Sequence, residues 1–316
     1  MVMKWFVGAA VAVALALPAA AQQLSLGIVG FQMSSETHAR VVNAAESAAK
    51  AKGWRTTVLN SQGGMPQHAA QVENLIQAKV DAIILAMGKP VQLDEQLQAA
   101  KKANIPVITV MSGNSPHSLF DIVVNEYAVG ADAALYLLGS INYEGNVLLQ
   151  RFEGNVGTRI RGKVLDAVLE ENTAVKVLGA HSMARTASWR EDVKAGMEAL
   201  LLKHGKDVKG IWASFDGQAF IIDDLLTAMG RKPGEVALVS IDGGQETFAR
   251  LRDAKSHLTA TVAIPFETMG VKAVEAVEQI VVKKAKKDDV VKGPYLYLNA
   301  VLVDRSNVPA EGKWPW

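Results

Sequence analysis

Carboxylates, guanidinium groups and aromatic rings recur in this sequence where predicted strands give way to helices. Ser35 and Glu36 lie in the loop after the first strand, and Arg40 sits one turn into the next helix. Arg159 and Arg161 open the helix after a Gly-Asn-Val-Gly run, Trp189 opens another, and Phe215-Asp216 and Asp242 each end a strand. Carboxylates and guanidinium forks hold hydroxyl groups, while an aromatic face stacks on the apolar side of a sugar ring. The same residues have plainer uses: Asp216 and Asp242 as helix caps, Arg159 as solvated surface, Trp189 as core. Taken together they suit the grip of a small polar solute.

Catalytic constellations are missing. The six histidines follow no HExxH or other paired ligand spacing, and no G-x-S-x-G elbow precedes a helix. Gly27-Ile28-Val29-Gly30 lacks the spacing of a dinucleotide loop, and Met87-Gly88-Lys89 lacks the rest of a phosphate loop. Glu36 with Asp216 or Asp242 could act as a glycosidase pair only if their carboxyls stood about 5–9.5 Å apart across a cleft. The chain has no cysteine, which removes disulfides, thiolate metal sites and lipid attachment at a cysteine. The expectation is a protein that is not an enzyme and needs no metal or cofactor.

These side chains hang on a regular alternation. Buried runs such as Leu24 to Gly30, Ala82 to Ala86 and Val107 to Met111 read as strands, and the stretches between them carry apolar residues at helical spacing. In His38 to Lys52, for instance, Val41, Val42, Ala45, Ala48 and Ala49 share a face and Gly53 stops the helix. The fold class is therefore α/β, with doubly wound parallel sheets, and the βα units are too many for one sheet. Ligands of such sheets bind beyond the carboxyl ends of the strands, which is where the polar and aromatic residues fall.

The amino terminus sets the compartment. Lys4 precedes an apolar run of 13 residues from Trp5 to Leu17, and Ala19-Ala20-Ala21 follows. That run is short of the roughly 20 residues a spanning helix needs, so residues 1–21 read as a cleavable export signal. Removing it takes Lys4 from the 33 basic residues and leaves 32 against 32 acidic. A neutral chain offers nothing to nucleic acid or to an anionic membrane. The Lys283, Lys284, Lys286, Lys287 run is followed by Asp288-Asp289 and reads as a solvated helix end.

Six segments, in this order and spacing, carry a family resemblance: KAKGW (50–54), VLNSQ (58–62), VDAIILA (80–86), KKANIPVITV (101–110), SIDGG (240–244) and LTATVAIPFETMGVKAVEAVEQIV (258–281). Through them the chain resembles the periplasmic solute-binding proteins of the ribose- and galactofuranose-binding family over roughly Leu24 to Val303. The resemblance implies the type I periplasmic binding fold, two doubly wound lobes joined by a three-segment hinge. Residues 22–124 with 265–292 would form one lobe and 125–264 with 293–316 the other, crossing near Val124-Asn125, Ile264-Pro265 and Lys292-Gly293. It implies a periplasmic monomer that closes on a small-molecule ligand and delivers it to an ABC permease and its ATPase. Presentation to a chemoreceptor or sensor kinase, and a nucleoside or aromatic ligand, remain alternatives.

Carried over by position, the implied ligand-binding set begins with Gln32, Ser35, Glu36 and Arg40 in the first lobe. Asn125, Arg161, Trp189, Asp216 and Asp242 continue it. Departures complete it: the family's Asp-Arg pair is Met111-Ser112 here, its Asn before Asp216 is Phe215, and its Gln near the hinge is Ile264. A site stripped of those groups would favour a less hydroxylated solute, such as a deoxy sugar, a methylated sugar or a polyol.

Overall fold

The computed structural model describes residues 23–184 and 188–316. The export signal expected over 1–21 lies outside the described residues. The first lobe opens with β1 (Ser25–Gly30), α1 (Glu36–Ala51), β2 (Arg55–Asn60), α2 (Met65–Gln77), β3 (Ala82–Ala86), α3 (Asp94–Lys102), β4 (Val107–Val110) and β5 (Asp121–Val124). The chain then crosses to α4 (Glu126–Ser140), β6 (Gly145–Arg151), α5 (Val156–Glu171), β7 (Val175–Ser182), α6 (Trp189–His204), β8 (Val208–Ala213), α7 (Asp216–Ala228), β9 (Ala237–Asp242), α8 (Gln245–Arg252) and β10 (Leu258–Ala263). It returns for α9 (Phe266–Val277), α10 (Lys287–Val290) and β11 (Tyr295–Leu298), and ends in the second lobe with β12 (Val301–Asp304).

The first sheet runs β11-β5-β4-β3-β1-β2 and the second β12-β10-β9-β8-β6-β7; every pairing is parallel except β10 with β12. All six residues of β1 and all five of β3 are buried, as befits strands covered by helices on both faces. The expected apolar stripe of α1 is realised: Val41, Val42, Ala45 and Ala49 are buried. Gly270 lets α9 lie directly on α1, since a Cβ there would sit 2.4 Å from the Val41 carbonyl oxygen.

The chain leaves the first sheet after Val124 and the second sheet after Ala263, while the third crossover is expected near Lys292-Gly293. Tyr295–Leu298 pairs in parallel with Asp121–Val124 as an edge strand of the first sheet, so the last crossover is at Asn299-Ala300 rather than Lys292-Gly293. A Gly-Pro pair reads as a boundary in sequence, but here it only breaks the chain before one more strand of the same sheet.

Candidate functional site

The carboxyl ends of the two sheets face each other, and side chains meet across the gap. Arg40 on α1 donates to the carbonyl oxygen of Gly243, which follows β9 of the other lobe. Glu36 reaches the same place, for a Cβ on Gly244 would lie 2.9 Å from its Oε1.

The centre of the second lobe's cleft face is a buried charge cluster. Arg161 on α5 is 4% exposed and forks onto Glu126, the first residue of α4, with Nε–Oε2 of 2.6 Å and Nη2–Oε1 of 3.1 Å. Its Nη1 donates to the Ser214 carbonyl at 3.1 Å and to Asp242 Oδ1 at 3.2 Å. The two helices approach closely because Gly130 has no side chain; a Cβ there would be 3.0 Å from the Arg161 Cα. Asp242 ends β9 with φ of 130°, a backbone region that few non-glycine residues occupy. Such strain persists where the surroundings fix it, and here the salt bridge and the strand end do so.

Two carboxylates thus share one guanidinium. Burial pushes the Asp242 carboxyl up to about 7; Arg161 opposes this, and the Asp216 and Glu126 carboxylates reinforce it. Burial works against the Arg161 charge too, but Glu126 and Asp242 outweigh it and hold the guanidinium protonated. A carboxyl raised in the folded state favours the protein most when protonated. The stability it contributes is present below the usual carboxylate range and is lost as pH rises through about 7. Without ligand, Tm is therefore expected to fall between pH 5 and 8 in a way that Asp242→Asn flattens, read by calorimetry at each pH. A ligand hydroxyl that donates to Asp242 is held more strongly by the ionised form, so affinity should rise over the same window.

Glu36 remains solvent-exposed and makes no hydrogen bond among the described residues. Partial desolvation raises its carboxyl above the ordinary range, against the pull of Arg40 and with help from Asp216, Glu246 and Glu267. The cleft is therefore rich in acceptors, which suits a ligand that offers many O–H donors.

Beside the charges lies an aromatic wall. Phe152, Trp189 and Phe215 follow the ends of β6, β7 and β8, which are neighbours in the sheet. Phe215 meets Trp189 edge to face at 5.6 Å and Phe152 at 6.1 Å between centroids. The Arg190 guanidinium covers one face of Trp189 at 4.4 Å.

Other positions from the sequence have different duties. Asp216 is buried and accepts from Ser240, Thr247 and Thr261 at 2.5, 2.5 and 2.9 Å, so it ties α7 to β9, α8 and β10. Ile264 is fully buried beneath the crossover. Asn125 spends its side-chain oxygen capping α4, on Tyr127 N and Ala128 N. The Ser112 hydroxyl turns inward to the Leu85 and Val110 carbonyls at 3.2 and 2.9 Å. At these four positions the side chain is buried or makes hydrogen bonds within the protein, which no strand-end pattern reveals.

Arg40 is committed as well. It forks onto Glu267 at 2.6 and 3.0 Å and lies between the rings of Phe266 and Trp314, at 5.0 and 4.9 Å from their centroids. Gln32, Ser35 and Met111 are half-buried on the first lobe's cleft face, and the Ser35 hydroxyl pairs with Thr37 at 3.2 Å. Arg159 holds the Glu153 carbonyl at 2.7 Å. Sequence reasoning missed Glu126, Glu267 and Trp314. The Asn-Glu start of α4 was the one signal for Glu126; the other two are brought in by tertiary packing alone.

The chain as a whole has relatives among known proteins. The sequence model of the periplasmic binding protein domain matches residues 26–285. This chain belongs to the periplasmic binding protein family. Among its relatives, a xylitol-binding protein of Mycolicibacterium smegmatis is 27% identical over 269 residues, covering 84% of this chain and 74% of the relative. A ribose import binding protein of Bacillus subtilis is 24% identical over 237 residues, 74% of each chain. An ABC transporter solute-binding protein from Agrobacterium vitis, solved with bound allitol, superposes with a TM-score of 0.77 at 26% identity, over 90% of this chain and 97% of that one. Like these periplasmic binding proteins, the chain has two α/β lobes, and no helix among its described residues is long and apolar enough to cross a membrane.

Proposed function

We propose that this chain is the substrate-binding component of an ABC transporter, exported by cleavage after Ala21 and acting in the periplasm as a monomer. Its ligand is a small solute rich in hydroxyl groups, an acyclic polyol or a deoxy sugar. The cleft closes on it and presents it to the permease without turnover. The observation that carries this reading is the Arg161–Asp242–Glu126 cluster beside the Phe152, Phe215 and Trp189 rings. Carboxylate acceptors would take the hydroxyl protons and the rings would cover the C–H face. The xylitol and allitol bound by two relatives point the same way. Hydrolysis is disfavoured because Asp216, one of the two carboxyls that could pair with Glu36, is buried and consumed by three hydroxyl partners.

A thermal-shift screen tests it, with polyols, pentoses, hexoses, deoxy sugars, nucleosides and sugar acids. A ligand at a hundred times its Kd stabilises the folded state by about 2.7 kcal/mol, well within reach of the method. The expected hits are polyols or deoxy sugars, with sugar acids silent because the cleft already holds unpaired carboxylate. Hits confined to sugar acids or nucleosides, or no hit at all, would overturn the reading.

A further inference from the structure

Four of the methionines stand in a pattern that the charge cluster does not use. Met33, Met87 and Met111 lie in the loops leaving β1, β3 and β4, and Met65 opens α2 after β2, so each of four adjacent strands is followed by a methionine at the cleft end of the first sheet. All four are half-buried, packed on the core yet still open to solvent. Met87 and Met111 are held in register by the sheet: their backbone N–H groups bond to the Val110 and Ile122 carbonyls at 2.8 and 2.9 Å. Both have left-handed backbone, with φ of 63° and 50°, a conformation that long side chains adopt only under constraint. Met33 folds back over the end of β1, where a Cβ on Gly30 would lie 2.8 Å from its Cγ.

Three polar side chains beside Met111 and Met33 are spent on backbone groups. Ser112 gives its hydroxyl proton to backbone, and Asp121 beneath the same loop accepts from the Ser112 and Gly113 backbone N–H groups at 3.3 and 2.8 Å. The side-chain oxygen of Asn60 accepts from Met33 N and Gln62 N. Phe152, Trp189 and Phe215 follow strands of the second lobe's sheet. A thioether is polarizable, donates no hydrogen bond and accepts only weakly, and it packs well against methyl groups, sulfur and aromatic edges.

We infer that the methionine face of the first lobe is a subsite for an apolar end of the solute, a methyl, methylthio or deoxy terminus. This rests on the reading of the cleft as a polyol or sugar site, and it names which members of that class are preferred. One end of the ligand lies on Asp242 and Glu36; the other, stripped of its hydroxyl, lies among the sulfurs. A terminal hydroxyl there would be desolvated without a good partner.

The test is calorimetric titration of the protein with matched pairs that differ at one terminus: galactitol against L-fucitol, galactose against fucose, ribose against methylthioribose. In at least one pair the member lacking the terminal hydroxyl is expected to bind about tenfold tighter or more, equivalent to 1.4 kcal/mol. Met111→Gln and, separately, Met87→Gln should shrink that gap to below about threefold, while Met111→Leu keeps it. Equal or tighter binding of the hydroxylated members overturns the subsite and leaves the transport reading standing. A gap unchanged in both glutamine variants overturns the assignment to the methionines. Silence from every compound removes both readings at once.

Discussion

Replacing Arg161 by methionine is expected to destabilise the protein by about 3–5 kcal/mol and to abolish solute binding. The side chain would still fill its space between α4 and α5, but Glu126 and Asp242 would lose the cation that holds them. A buried carboxylate without a partner takes up a proton, so the deficit should be largest at pH 8 and smaller at pH 5, since Asp242 already titrates at about 7. Denaturant melts of the wild type and of Arg161→Met at the two pH values measure this directly. Glu126→Gln added to Arg161→Met removes one of the orphaned charges and should recover part of the loss. A single mutant as stable as the wild type at pH 8 would mean the cluster is not sealed from water.

Asp216→Ala has an effect of comparable size by another route. Three hydroxyls, on Ser240, Thr247 and Thr261, lose a common buried acceptor, and α7 loses its tie to the neighbouring elements. Each hydroxyl left unsatisfied costs on the order of 1 kcal/mol, so about 3 kcal/mol is expected, with a Tm lower by roughly 10 °C. Affinity for a polyol, measured below the transition, should change less than about threefold, because Asp216 is buried and its oxygens are taken by three hydroxyls. Loss of affinity with unchanged stability would restore the solute contact that sequence position alone implies. The two variants separate the residues that hold the second lobe together from those that meet the ligand.

Much of this was legible in the chain before folding. Buried runs alternating with amphipathic stretches specify doubly wound sheets, because a strand covered on both faces must be apolar throughout and a helix lying on it must be apolar on one stripe. Strand ends are legible by the same pattern: Phe215 follows β8 and Asp242 ends β9. What misled was punctuation. Gly293-Pro294 looks like the start of a new lobe, yet the four residues after it pair with β5. A turn residue reports local backbone geometry and says nothing about which sheet the next strand joins.

Residue types and their spacing determined the α/β fold, the two lobes and the cleft end of each sheet, since these follow from periodicity and local chemistry. The tertiary structure alone decided which polar groups remain free. Asp216 and Asp242 look alike in sequence, each an acid at a strand end. One is consumed by hydroxyls on three other elements, while the other pairs with an arginine and keeps part of its surface at the cleft. Likewise Arg40 finds Glu267 and Trp314 only because residues far apart in the chain converge there. Hydrogen-bond capacity is finite, and how it is spent depends on neighbours that long-range packing supplies.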